Sequence, residues 1–128
     1  MRVLETGDWS LLLPDEWSAD RDDDVIVIGD QDGVGVLELS ELHKEKGVFN
    51  SADVETIASE GGALKDVQVG SFRGAYSSFL EDDAALREWY LYAEDLLLYI
   101  TYSCDIDNRG LDDAIVDEIL ATLRFCRD

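Results

Sequence analysis

REWYLYAEDLLLYITYSC, the run from Arg87 to Cys104, decides what kind of protein this is. Its first part alternates, with Trp89 and Leu91 on one face of a strand and Tyr90 and Tyr92 on the other. Glu94-Asp95 breaks the run, and LLLYITYSC resumes as a strand apolar on both faces. Such a strand belongs in the middle of a sheet, with cover on each side. Upstream, VQVGSFRG from Val67 leads into AYSSFLE from Ala75, and a polar turn at Glu81-Asp82-Asp83 joins them to the quoted run. The second half of the chain therefore reads as an antiparallel meander.

Working outward, Trp9, Leu11 and Leu13 share one face of a first strand, which Pro14 ends by removing a backbone donor. ADRDDD, Ala19 to Asp24, reads as a polar loop. The β-branched run Val25 to Gly29, a hairpin turn at Asp32-Gly33 and the strand Val34 to Leu42 follow. Asn50 or Ser51 caps a short helix carrying Val54, Ile57 and Ala58, which Gly61-Gly62 ends. A last helix is predicted from Asp112 to about Phe125, since Leu111, Ile115, Ile119 and Leu123 recur every four residues. Val116 and Leu120 widen that stripe, and Arg124 and Arg127 suit the negative end of the helix dipole. The expected order is β-β-β-α-β-β-β-β-α. This is a single α+β domain over residues 1–128, with an antiparallel sheet of about six or seven strands and two main helices packed on it.

CDIDNRGLDDAIVDE, Cys104 to Glu118, has the acidic rhythm of a calcium loop but not its ligands. Counting from Asp105, Asp107, Gly110 and Asp113 fall where an EF-hand needs them. Arg109 stands at position 5 and Val116 at position 12, where oxygen ligands are required. Asn108-Arg109-Gly110 is instead turn chemistry, and Asp112 and Asp113 favour a helix start.

The 128 residues carry 30 acidic and 10 basic side chains, a net charge of −20, with 46% hydrophobic content. That balance excludes nucleic acid and anionic membrane surfaces as direct ligands, because phosphates demand clustered Lys and Arg. It suits a basic protein partner, or serves solubility alone. The opening MRVLETGDWS has no apolar signal segment, so the chain reads as soluble and cytoplasmic. Cys104 and Cys126 lie far apart without CxxC spacing and read as small hydrophobes.

No catalytic constellation emerges. His43 is the sole histidine and reads as a surface residue, which removes most triads and every multi-histidine metal site; no metal and no cofactor is expected. Gly33-Val34-Gly35 lacks the spacing of a phosphate loop. Glu88, beside Trp89, is the least surface-like carboxylate, although a solvent-facing strand position explains it equally. Trp89, Tyr90, Tyr92, Tyr99 and Tyr102 could gather on one sheet face, as packing or as an interface. Trp17 with Asp15, Glu16, Asp20, Asp22, Asp23 and Asp24 is the densest acidic stretch; Trp17, Asp20, Asp22, Asp23 and Asp24 are the candidate partner-binding residues.

Two stretches resemble one family. Leu13-Pro14-Asp15-Glu16-Trp17 is similar to the opening of the PsbP/Mog-like superfamily. Leu96 to Cys104, with Asp117-Glu118-Ile119-Leu120-Ala121-Thr122-Leu123-Arg124-Phe125, resembles its closing strand and helix. The resemblance runs from about Trp9 to Phe125 and implies binding rather than chemistry. Together with the acidic charge and the missing catalytic constellation, it points to a noncatalytic bacterial protein-binding module, such as an effector chaperone or toxin-neutralising protein with a basic partner. The alternative is a small carboxylate-based hydrolase or lyase with a pocket between sheet and helices. The pattern assigns no oligomeric state.

Overall fold

A computed structural model describes residues 1–31, 33–58 and 64–126. In chain order the strands of the N-terminal half are β1 (Arg2–Glu5), β2 (Trp9–Leu13), β3 (Trp17–Asp22), β4 (Val25–Asp30) and β5 (Gly35–His43). Helix α1 (Ser51–Ile57) precedes β6 (Lys65–Val69), β7 (Phe72–Glu81), β8 (Ala84–Ala93) and β9 (Leu96–Asp105). Helix α2 (Asp113–Ala121) and the two-residue β10 (Arg124–Phe125) close the chain. The α+β class and the antiparallel sheet are as the sequence indicates. The main sheet has seven strands in the order β3-β4-β5-β9-β8-β7-β6, and every adjacent pair is antiparallel.

β9 lies at its centre, between β5 and β8. Leu96, Leu98 and Ile100 enter the larger core with Leu37, Leu39, Trp89 and Leu91. Trp9, Leu11 and Leu13 of β2 and Val116, Ile119 and Leu120 of α2 cover that face. Leu97 points the other way, into a smaller cluster with Tyr90, Ala75, Phe49 and Val54 and Ala58 at α1. Each fully buried Leu or Ile contributes about 1.5–3 kcal/mol before ordering entropy is subtracted. A capping box fixes the start of α1: Asn50 accepts from the Asp53 amide, and the Asp53 carboxylate accepts from the Asn50 amide. Among the described residues, no helix is long and apolar enough to cross a membrane.

Several expectations need correction. Trp9–Leu13 does not join the main sheet; it is the middle strand of a second, three-stranded sheet, β1-β2-β10. Neither outer strand shows in the sequence pattern, because four and two residues give too little periodicity. Of the stretch read as a loop, Ala19–Asp22 is strand and only Asp23-Asp24 form a turn. Trp17 and Ala19 point inward while Ser18, Asp20 and Asp22 face out, which suffices for an edge strand whose other needs are ladder hydrogen bonds to β4. Asp23 then turns the chain at φ 55°, a left-handed conformation that Asp tolerates.

The final helix stops at Ala121 rather than near Phe125. The Thr122 hydroxyl bonds back to the Ile119 carbonyl at 2.6 Å, and Arg124–Phe125 leaves to pair with β2. Leu123 is fully buried outside the helix, whereas Leu111 is 68% exposed ahead of it. The four-residue rhythm thus overran the helix at both ends. Arg124 is a strand residue, not a helix-end charge. Gly61-Gly62, Asp32 and Arg127 lie outside the described residues.

Ile119 is 2% exposed where α2 meets β2 and the central strands. Ile119→Asp should cost about 4 kcal/mol or more by burying an unpaired charge, leaving no cooperative thermal transition by circular dichroism. A variant that melted like the parent would show the helix stripe to be misassigned.

Candidate functional site

The β3–β4 hairpin forms one end of the main sheet, and among the described residues β3 pairs only with β4. Asp20, Asp22, Asp23 and Asp24 are all exposed there. Among the described residues none of the four has a side-chain hydrogen bond or ion pair. The structure thus brings these four candidates together as a ridge of net negative charge, with Arg21 the one exposed cation among them. Trp17 it places elsewhere: 2% exposed, its ring belongs to the large core, and its carbonyl accepts from the Arg2 guanidinium. Its value is structural, holding β3 onto the domain.

Among the described residues, α1 lies toward one end of the other face of the main sheet, over Ala75, Tyr90 and Leu97. Register aligns Ser77, Glu88, Thr101 and Glu38 across β7, β8, β9 and β5, a polar row beyond the helix. Glu88 is not solvent-facing; it is 9% exposed and accepts a hydrogen bond from the Tyr99 hydroxyl. The Tyr99 and Tyr90 rings pack with centroids 5.0 Å apart. Burial first, then the Glu88 carboxylate, pushes both phenols above the usual tyrosine range. Ser77 Oγ is buried without a hydrogen-bond partner among the described residues. The expected aromatic face is in fact divided. Tyr90, Tyr92 and Tyr99 lie on this side, while Trp89 and Tyr102 point into the large core.

On the opposite face, Arg87 pins α2 to the sheet. Its guanidinium lies 4.6 Å from the Trp89 ring centroid and 5.2 Å from that of Tyr76. Nε donates to the Tyr76 hydroxyl at 2.8 Å, Nη2 to Asp117 at 2.7 Å, and Nη1 stands 3.5 Å from Asp113. Burial pulls the Arg87 pKa down, but these bonds outweigh it and raise it. Asp112 occupies the helix N-cap position without making a cap bond. Its buried carboxylate accepts instead from Tyr102 at 2.6 Å, a partner that no local reading of the sequence could supply. Tyr102 fits because residue 35 is glycine: a Cβ there would sit 2.1 Å from the Tyr102 hydroxyl oxygen.

The acidic turn has no calcium geometry. Asp105 accepts from the Asp107 amide at 3.0 Å to cap a single helical turn, Ile106–Asn108, and Gly110 continues the bend at φ 88°. A cavity of about 310 Å³ opens beside it, lined by Tyr76, Phe79, Arg87, Tyr102, Cys104 and Arg109 among others. Burial raises the Cys104 pKa, so the thiol is a poor nucleophile at neutral pH. A wider cavity of about 540 Å³ lies beside α1, between Val54, Glu55, Asp66, Gln68, Arg73 and Tyr92. Glu88 lines neither cavity.

No protein-family model matches the chain, and no curated protein matches it either. Among solved structures, a crystal structure from Bacteroides thetaiotaomicron VPI-5482 is similar, with a TM-score of 0.73 at 16% identity. The match covers 94% of this chain and 46% of that one, so the chain spans about half the neighbour's length. At that identity the likeness shows the fold alone.

Tyr102 and Asp112 give this region a measurable signature. Tyr102→Phe should cost about 1–3 kcal/mol by leaving the buried carboxylate without its donor. Burial, then Asp112, raises the Tyr102 pKa, and Tyr99 is raised in the same direction. Above about pH 10 the folded state therefore holds protons that the unfolded chain releases. Stability should be complete below that pH and fall above it, by at most about 1.4 kcal/mol per pH unit for each tyrosine. Urea denaturation from pH 8 to 11 should show a shallower alkaline decline in a Tyr99→Phe, Tyr102→Phe double variant. Equal slopes would contradict the buried-phenol geometry.

Proposed function

We propose that this protein is a noncatalytic binding module whose acidic β3–β4 edge docks a basic protein partner. The observation that carries this reading is the ridge of Asp20, Asp22, Asp23 and Asp24, exposed and without side-chain partners among the described residues, on the β3–β4 hairpin. A predominantly acidic cluster on a sheet edge steers an oppositely charged partner and speeds encounter. The resemblance to the PsbP/Mog-like superfamily points the same way, toward an adaptor or chaperone for another protein.

The test separates this ridge from net charge. Asp20→Asn, Asp22→Asn, Asp23→Asn and Asp24→Asn together take the net charge from −20 to −16. Asn also tolerates the left-handed angle at position 23. A control carrying Glu45→Gln, Glu55→Gln, Asp107→Asn and Glu118→Gln changes exposed carboxylates elsewhere and reaches the same charge. In capture experiments from host lysate, a basic protein should bind the parent at about 50 mM salt and release at about 500 mM, where screening is strong. The control should retain it and the hairpin variant should lose it. Equal retention by the hairpin variant would eliminate the acidic edge as the docking site.

A further inference from the structure

The chain's single histidine stands at the seam between the two sheets, and we propose that Asp8, Glu41 and His43 there bind one divalent transition-metal ion of the zinc class. Sequence separation hides this set, since Asp8 precedes β2 and the other two end β5. Glu41 and His43, two apart on one strand, share a face. His43 Nε2 lies 3.3 Å from Glu41 Oε2 and 3.8 Å from Asp8 Oδ2. One ligand atom from each residue falls within 4.8 Å of the others. Metal bonds of about 2.0–2.2 Å place neighbouring ligand atoms roughly 3–3.5 Å apart, so small side-chain adjustments close the set around an ion.

The ligands are held from behind. Trp9 is fully buried, and its indole Nε1–H donates to Oε1 of Glu41, leaving Oε2 turned toward the histidine. This is the outer support that orients a coordinating carboxylate. Asp8 is fixed through its backbone: its amide donates to Thr6 Oγ1 at 3.2 Å and its carbonyl accepts from the Cys126 amide at 2.8 Å. One imidazole nitrogen with two carboxylates neutralises a dication and favours zinc or a similar transition metal over magnesium. Three protein ligands on a partly exposed surface leave positions for water. The bound ion would staple β2 to β5, so its binding must raise the melting temperature.

Zinc titration by calorimetry and thermal melting tests this. Millimolar magnesium, present throughout, occupies the diffuse acidic surface. The parent should bind one zinc ion and melt higher with it. His43→Gln and Asp8→Asn should each weaken zinc binding roughly tenfold or more, while Glu45→Gln should leave it unchanged. His43 is 46% exposed, so His43→Gln will fold and decides the matter even if Asp8→Asn is unstable. Absence of zinc binding by the parent, or equal binding by parent and His43→Gln, would overturn the site.

Discussion

β9 is buried along one face from Leu96 to Cys104 and, at Leu97, on the other as well, and the rest of the structure answers to that constraint. Leu96, Leu98 and Ile100 are fully buried on one side and Leu97 almost so on the other. A strand in that position needs two covers. The three-stranded sheet and α2 supply one, pressing Trp9, Leu11, Ile119 and Leu120 onto the central strands. Phe49 and α1 supply the other, over a shorter stretch. The unequal covers explain why one core is large and why the second face continues past α1 as a polar row.

The charge is arranged around the same centre. Few cations are available, and the structure spends several on internal ties. Arg87 joins β8 to α2, Lys44 pairs with Asp53 at 2.8 Å beside α1, and Arg2 reaches the Trp17 carbonyl. The excess carboxylates are left outside, most densely at the β3 edge. Charged side chains on an edge strand also discourage pairing with other chains. The proposed docking would therefore draw on the same residues that discourage edge pairing.

What the sequence makes legible follows from how local each signal is. The meander is readable because alternation, β-branched runs and acidic turns all lie within a few residues of one another. The β3 strand is hidden because an edge strand needs only one apolar face, and here that face is Trp17 and Ala19 among carboxylates. The end of α2 is hidden because Leu123 continues the helical spacing while the backbone has already left for β2. Candidate-site residues divide the same way. The four aspartates are evident from composition, but the burial of Trp17 and the phenol against Glu88 depend on cross-strand neighbours. The grouping of His43 with Asp8 depends on two sheets meeting, a contact with no local trace.

Native-state hydrogen exchange, read residue by residue, tests the organising role of β9 most directly. If both cores are built on that strand, the amides of Leu97 to Tyr102 should exchange only through global unfolding, at the stability measured by denaturant. The β3 amides should exchange faster, through local opening of the edge. Exchange of the β9 amides at rates like those of β3 would contradict the account, since the strand said to join both cores would be opening on its own.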